Sequence, residues 1–259
     1  MNLSHNDYIL LFITSFLVVS FLTPAMRKIA LKFDVVDSPI EAHKTHKKPI
    51  PYLGGIAIVL GVTIVTYSAT LLTDYSSSIT WLASTLLVPA LIFAIVGLID
   101  DIRKLTPWSR FLIQNLIGIA SALVLISTNT VGSPTGSVFL DVGVSIIWLV
   151  GLTNAINFFD NLDGGASGTV AISSIFLFLV SYQSGQVLIS AMSLVLAGST
   201  LGFLIWNRPP ARIYMGDAGA LFLGLLIASL TLRIEPNPIN KLASFAVPIL
   251  LVAIPILDT

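Results

Sequence analysis

Long apolar runs constrain the fold of this chain more than any other feature of its sequence. A transmembrane helix needs about 20 consecutive, mostly apolar residues. Nine runs of about this length lie at residues 8–29, 53–73, 81–99, 111–128, 138–157, 169–185, 187–206, 218–234 and 242–258. A backbone inside a bilayer must satisfy its own hydrogen bonds, as helices do. The sequence therefore predicts an all-α, polytopic integral membrane protein with about nine transmembrane helices in a single domain.

The composition excludes several classes of protein. Only 10% of the 259 residues are charged and 55% are hydrophobic, whereas an ordinary soluble domain has about 25% charged residues. A soluble enzyme is therefore excluded. Thirteen basic residues balance thirteen acidic ones, so no net positive field is present to bind a nucleic acid. The absence of cysteine excludes disulfides, thiolate nucleophiles and cysteine-ligated metals.

The basic residues predict the orientation in the membrane. Eleven of the thirteen fall in alternate connections on one side of the predicted spans, while Arg233 and Lys241 fall on the other. Because positive residues accumulate in cytoplasmic loops, we expect the N-terminus to lie outside and the basic loops to face the cytoplasm.

The acidic residues predict where the chemistry lies. Six carboxylates fall at the predicted cytoplasmic ends of spans: Asp100, Asp101, Asp160, Asp163, Asp217 and Asp258. A carboxylate there is costly unless it is hydrated, paired or metal-bound. One alone could be a hydrated surface residue, but convergence from several segments indicates a functional site. The four acidic residues of the outer side are expected to be ordinary solvated residues: Asp7, Asp74, Asp141 and Glu235.

The most polar segment follows the fifth span. Its amides and carboxylates recur at every third position, as Asn154, Asn157, Asp160 and Asp163, and predict a polar strip at the membrane edge. Such oxygen ligands suit Mg²⁺, which takes one or two carboxylates and completes its shell with phosphate and water. The glycines at 164, 165 and 168 predict close backbone approach and free amides for an anion. A helix-breaking turn alone would explain the glycines but not the polar side chains.

Three further segments are candidates. The adjacent Asp100 and Asp101 must point in different directions on a helix; one could act as a base while Arg103 or Lys104 holds the other, or both could simply be neutralised. Asp217 could cap a helix, although a cap does not need glycines on both sides. The cationic loop at 43–55 could bind a phosphate or anionic lipid heads.

These segments together resemble a known family. Lys48–Gly55, Asp100–Asp101, Asn154–Gly164 and Met215–Gly219 are similar to the signature loops of the polyprenyl-phosphate N-acetylhexosamine-1-phosphate transferases, glycosyltransferase family 4. The resemblance implies transfer of a sugar 1-phosphate from a UDP-N-acetylhexosamine, with GlcNAc favoured, to undecaprenyl phosphate. UMP is released and a cell-envelope glycan is initiated. It further implies a multi-pass protein of the bacterial inner membrane with a cytoplasmic site, and is compatible with a homodimer.

The resemblance also implies roles for individual residues. Asp217 and Asn157 would hold Mg²⁺, with Mn²⁺ as a substitute. Asp160 and Asp163 would place the nucleotide sugar, together with Asn154 and Gly164. Asp100 would orient or deprotonate the lipid phosphate with support from Asp101, and Lys48 and His46 would meet phosphates. The active-site loops would be residues 30–52, 100–110, 154–168 and 207–217.

Departures from the family pattern leave alternatives open. Asn161 and Ala220 replace a usual glycine and a frequent serine, which could shift sugar preference. The family's His-x-His-His loop would follow residue 259, so an inactive, truncated remnant is one alternative, with low turnover that an added C-terminal segment would restore. A CDP-alcohol phosphotransferase would need a second aspartate pair. An ion-coupled transporter would need acidic residues at mid-membrane depth.

Overall fold

The computed structural model describes residues 3–37, 49–72, 77–128, 137–234 and a few positions after residue 247. Over these residues the chain forms eight helices: α1 (His5–Lys32), α2 (Gly54–Leu72), α3 (Ser77–Arg103), α4 (Pro107–Ser127), α5 (Val138–Phe159), α6 (Gly165–Gln183), α7 (Val187–Asn207) and α8 (Gly216–Leu232). A short antiparallel ribbon pairs β1 (Val36–Asp37) with β2 (Ile50–Pro51).

The predicted all-α, polytopic membrane fold is confirmed. Each of the first eight apolar runs forms one helix, and seven of these helices are long and apolar enough to cross a bilayer. The eighth, α8, has 17 residues and is shorter than a usual span. The predicted ninth span at 242–258 lies almost entirely outside the described residues.

The short helix α8 forms the centre of the protein. It packs against α2, α3, α5 and α6, and its residues from Ala218 to Thr231 are all buried. A helix that is apolar on every side is stable where neighbours cover all of it. A second group forms around α7, which packs against α1, α2 and α6.

The helices alternate in direction, so their ends define two faces. On what we call the site face lie the ends of α1, α3, α5 and α7 and the starts of α2, α4, α6 and α8. At the opposite face the first turn of α1 meets the last turn of α6. There the ring of Tyr8 lies 5.5 Å from that of Phe178 and 5.4 Å from that of Tyr182.

Two charged residues of the opposite face are buried. Asp141 is only 4% exposed, so the expectation that it is an ordinary solvated residue is wrong. It shares the inward side of α5 with Ser145 and Leu149, and this side packs into the protein. Arg233 is 3% exposed and donates to the hydroxyl of Thr85 at 2.7 Å.

Candidate active site

Asp100 and Asp101 end α3 and point apart, as adjacent residues on a helix must. Asp100 is buried; its Oδ1 accepts a hydrogen bond from the backbone N–H of Leu105 at 2.7 Å, and its Oδ2 forms an ion pair with Arg110. The chain turns sharply between the two helices, where Thr106 caps α4 and Pro107 is its first residue. The cation that holds Asp100 is therefore Arg110 of α4, whereas the sequence suggested Arg103 or Lys104 for one of the two aspartates.

Asp101 caps the N-terminus of α8. Its carboxylate oxygens accept the backbone N–H groups of Asp217 at 3.0 Å and Ala218 at 3.2 Å. A negative charge at a helix N-terminus is favourable, because the N–H groups there have no partner inside the helix. Gly216, which precedes them, has a φ of +75° and so occupies a conformation that suits glycine. Asp101 thus fixes the first turn of α8.

Asp217 lies where side chains from two other helices meet. Its Oδ1 accepts a hydrogen bond from Nδ2 of Asn157 on α5 at 2.9 Å. Its Oδ2 accepts one from Nη2 of Arg110 on α4, also at 2.9 Å. Arg110 therefore joins two carboxylates, Asp217 and Asp100. We call these five residues, Asp100, Asp101, Arg110, Asn157 and Asp217, the Asp217 cluster.

Glycines allow the backbones around the Asp217 cluster to approach closely. A methyl group at Gly97 of α3 would collide with the carbonyl of Asp217, and one at Gly55 of α2 would collide with the backbone of Gly219. The N–H of Gly55 also donates to the carbonyl of Met215 at 2.8 Å. Segments 50–55 and 214–219, both of which carry the family resemblance, are therefore in direct contact.

Asp163 and Gly164 connect the turn after α5 to the loop before α8. The carboxylate of Asp163 accepts the N–H of Ala211 at 2.9 Å, and the N–H of Gly164 donates to Oδ1 of Asn207 at 3.0 Å. The amides of Gly165 and Gly168 are bonded within the same turn and helix. The expectation that these glycine amides are free for an anion is therefore wrong in this arrangement.

Asn154 and Asp160 lie on either side of Asn157. The Nδ2 of Asn154 donates to Oε1 of Gln114 on α4 at 2.9 Å and to the carbonyl of Val150 at 2.8 Å. Asp160 directly follows α5 as its C-terminal cap and is half-buried. Burial, followed by repulsion from Asp217 and Asp101, raises the pKa of Asp160 well above its ordinary value. Burial and nearby carboxylates also raise the pKa of Tyr214 to about 12.

Sequence reasoning missed Arg110 and Asn207 as residues of the site. Arg110 has no motif around it, but Thr106 and Pro107 are typical of a helix start and place it in the first turn of α4, facing α3. Asn207 is 2% exposed and bonds Gly164, Ser167 and Ile213. The predicted phosphate ligands Lys48 and His46 lie outside the described residues.

The donor atoms of the Asp217 cluster fit a hard cation in their chemistry. Within the described part of the chain, no three histidine or carboxylate side chains are grouped as a ready metal site. Mg²⁺ does not need three, because substrate phosphate and water complete its shell. Both oxygens of Asp217 already accept hydrogen bonds, from Asn157 and Arg110. A cation on Asp217 would therefore share its carboxylate with these donors, and the positive guanidinium of Arg110 would oppose it.

Comparison with known proteins places this arrangement in a family. The model of glycosyl transferase family 4 matches residues 82–235, which hold most of α3, all of α4 to α8 and the whole Asp217 cluster. A probable undecaprenyl-phosphate N-acetylglucosaminyl 1-phosphate transferase of Bacillus subtilis is 36% identical over 257 residues, which cover 96% of this chain and 68% of that protein.

Two streptococcal relatives are similar over less of their length. A phospho-N-acetylmuramoyl-pentapeptide-transferase of Streptococcus thermophilus is 32% identical over 56% of this chain and 47% of that protein. One of Streptococcus mutans is 30% identical over 73% of this chain and 61% of that protein. This chain thus spans between about half and two thirds of these relatives. It belongs to glycosyl transferase family 4.

Proposed function

We propose that this chain transfers a sugar 1-phosphate, with N-acetylglucosamine 1-phosphate favoured, from a UDP-sugar to undecaprenyl phosphate and releases UMP. The proposal rests on the Asp217 cluster, where side chains of α3, α4, α5 and α8 meet at one edge of the membrane-spanning bundle. A nucleotide from water and a phosphate on a lipid can both reach such an edge. The name of the Bacillus subtilis relative supports this sugar and this acceptor.

The reaction exchanges one phosphoric anhydride bond for another. An oxygen of the lipid phosphate attacks the β-phosphorus of the UDP-sugar, and the bond from that phosphorus to the bridging oxygen breaks. UMP leaves with the bridging oxygen, while the sugar phosphate stays joined to the lipid phosphate. Such transfers depend mainly on positioning and on neutralising phosphate charge.

The residues of the Asp217 cluster divide this work. Asp217 and Asn157 would hold Mg²⁺, or Mn²⁺ in its place, and the cation would neutralise charge on the donor diphosphate. Asp100 would orient the lipid phosphate. Asp101 is a positioning residue, because it holds the first turn of α8 and hence Asp217. Arg110 brings a positive charge to the same point.

The other predicted residues surround this cluster. Asp160 and Gly164 would help to place the nucleotide sugar, and Lys48 and His46 would contact phosphate. Asp163 acts through the loop before α8, since its carboxylate holds Ala211. A cytoplasmic site in a bacterial inner membrane follows from the charge distribution and stays a prediction, as does a homodimer.

The names of the streptococcal relatives suggest a second candidate donor, UDP-N-acetylmuramoyl-pentapeptide, because they are phospho-N-acetylmuramoyl-pentapeptide-transferases. The test therefore compares two donors. Membranes containing this chain are incubated with undecaprenyl phosphate, Mg²⁺ and either UDP-GlcNAc or UDP-N-acetylmuramoyl-pentapeptide, and UMP and lipid-linked sugar are measured. We expect both products with UDP-GlcNAc, none in EDTA, and recovery when Mg²⁺ or Mn²⁺ is restored. Product with the muramoyl donor alone would favour the second candidate, and no product with either donor would contradict the proposal.

A further inference from the structure

A buried amide next to the Asp217 cluster has an unused hydrogen-bond donor. Gln114 of α4 is 2% exposed, and its Nε2 has no partner among the residues that the structure describes. A buried N–H without a partner is costly, so such a group in a native protein needs an explanation. The hydrogen bonds of the Asp217 cluster do not involve Gln114 and so do not provide that explanation.

The orientation of this amide is fixed by its neighbour. Nδ2 of Asn154 donates to the carbonyl of Val150 at 2.8 Å and to Oε1 of Gln114 at 2.9 Å. Because the bond to Val150 requires a donor, the atom of Gln114 that faces Asn154 must be an oxygen. The N–H groups of Gln114 therefore point elsewhere, and Asn154 holds them there.

Gln114 lies on the bilayer side of the predicted site. It follows Arg110 by four residues, and residues with this spacing are neighbours on one side of a helix. Because α4 begins at Pro107 on the site face, a rise of 1.5 Å per residue puts Gln114 about 6 Å deeper in the membrane than Arg110. The two residues present a cation near the surface and an amide donor below it.

The surface beside this pair suits a lipid. Asn154 is exposed on α5, and Phe158, one turn further on the same side, is 52% exposed. On α4, Phe111 is 54% exposed. A nucleotide arrives from water, whereas a lipid phosphate arrives along an apolar surface from the bilayer. The depth of Gln114 therefore fits the second ligand better than the first.

We infer that Gln114, with Arg110, binds the phosphate monoester of the lipid acceptor at the junction of α4 and α5, and that Asn154 positions its amide for this bond. The inference rests on the proposed function, because it assigns the acceptor phosphate of that reaction. The lipid phosphate would accept from Nε2 of Gln114 and from the guanidinium of Arg110, which would account for the buried donor.

The test measures lipid binding directly and does not depend on turnover. Native mass spectrometry of the purified chain gives its affinity for undecaprenyl phosphate and for undecaprenol, which lacks the phosphate. Gln114→Met removes the amide at similar volume. Gln114→Glu keeps an oxygen for Asn154 and replaces the donor with an acceptor. Asn115→Leu is the matched control, because Asn115 is only half-buried and bonds only the carbonyl of Phe111 among the described residues.

We expect the wild-type chain and Asn115→Leu to prefer the phosphate lipid over the alcohol. Both Gln114 variants should reduce this preference roughly tenfold or more, as loss of a hydrogen bond to a charged group does. A general packing defect would weaken both lipids equally and leave the preference unchanged. An unchanged preference in both variants would overturn the inference.

A competition experiment and a comparison of outcomes show which assumption is wrong if the expected result is not obtained. Inorganic phosphate should compete weakly because it lacks the isoprenoid chain, and displacement of the lipid at equal concentration would overturn the assignment to a lipid phosphate. If the wild-type chain itself does not prefer the phosphate lipid, the acceptor in the proposed function is wrong and the inference fails with it. If sugar transfer and the preference both persist in the Gln114 variants, only the inference is wrong.

Discussion

Asp217 is the residue on which most of the site converges, since side chains of α4 and α5 bond its two oxygens and α3 caps its backbone. Removal of one charge-stabilising group at an active site typically costs about 10²-fold in turnover or more. We expect Asp217→Asn to lower kcat by at least this order while the KM for the nucleotide changes less. Asp7→Asn makes the same chemical change in the first turn of α1, on the opposite face, and should leave kcat unchanged. Equal kcat values for the two variants would contradict the assigned role.

Arg110 and a divalent cation compete for the same carboxylate in the proposed site. Removal of a unit charge a few ångströms from a cation changes their interaction by about 1 kcal/mol or more. Arg110→Gln should therefore tighten Mn²⁺ binding on the order of fivefold or more, measured by electron paramagnetic resonance without substrate. Arg103→Gln, which removes a charge from an exposed position at the end of α3, is the control. Unchanged or weaker binding in Arg110→Gln would argue against Asp217 as the metal ligand.

The raised pKa of Asp160 predicts a pH-dependent stability. Its folded state holds a proton more tightly than the unfolded state, so folding stability falls as pH rises from the ordinary value toward the raised one. Asp160→Asn removes this loss. In EDTA, its melting temperature should exceed that of the wild-type protein more at pH 8 than at pH 5, by differential scanning fluorimetry. A lower melting temperature at pH 8 would show that the charged form is satisfied without metal.

Much of the site, but not its connections, could be predicted from single residues. A carboxylate at the end of an apolar run is conspicuous, which is why Asp100, Asp101 and Asp217 were all identified. The partner that joins two of them, Arg110, lies on a different helix, and its contacts depend on the turn at Leu105 and Thr106. Asp163 was identified, but its bond to Ala211 depends on the tertiary position of a loop far along the chain.

At the scale of the helices, close contacts between α2, α3 and α8 set the geometry of the site. Gly97→Ala would push α3 from the first turn of α8, and overpacking typically costs about 1–3 kcal/mol. We expect a lower melting temperature and reduced transfer, since Asp101 and Asp217 would separate. Gly151→Ala on α5 is the control, because a methyl group there meets no atom of the described residues within 4 Å. It should be neutral or slightly stabilising, and equal losses in both variants would contradict the packing argument.

The existence of the helices could be predicted and their arrangement could not. Apolar runs gave eight helices within a few residues of their observed ends, because the bilayer demands both apolarity and length. In a soluble protein, a helix that is buried on all sides can be recognised because it is apolar all around. In a membrane protein every span is uniformly apolar, so this signal disappears. The central position of α8 depends instead on glycine contacts with α2 and α3 that no single helix reveals.

At the scale of the whole molecule, charge and chemistry lie on the same face. The ends that carry Lys32, Arg103, Arg110 and Arg208 are those that carry the Asp217 cluster. The opposite face has the aromatic group of Tyr8, Phe178 and Tyr182, and such rings favour a membrane interface. Both features suit a bundle that spans the bilayer with its site at one edge.

The last prediction concerns the side of the membrane on which the site face lies. The positive-inside rule predicts that the site face lies in the cytoplasm, where nucleotide sugars are made. The chain has no cysteine, so a single introduced thiol reports its own position. Gln183→Cys lies at the end of α6 on the opposite face, and Arg103→Cys lies at the end of α3 on the site face; both positions are exposed. A membrane-impermeant maleimide should label Gln183→Cys in intact spheroplasts and Arg103→Cys only after permeabilisation. Labelling of Arg103→Cys alone in intact spheroplasts would place the Asp217 cluster outside the cell, where a cytoplasmic UDP-sugar could not reach it.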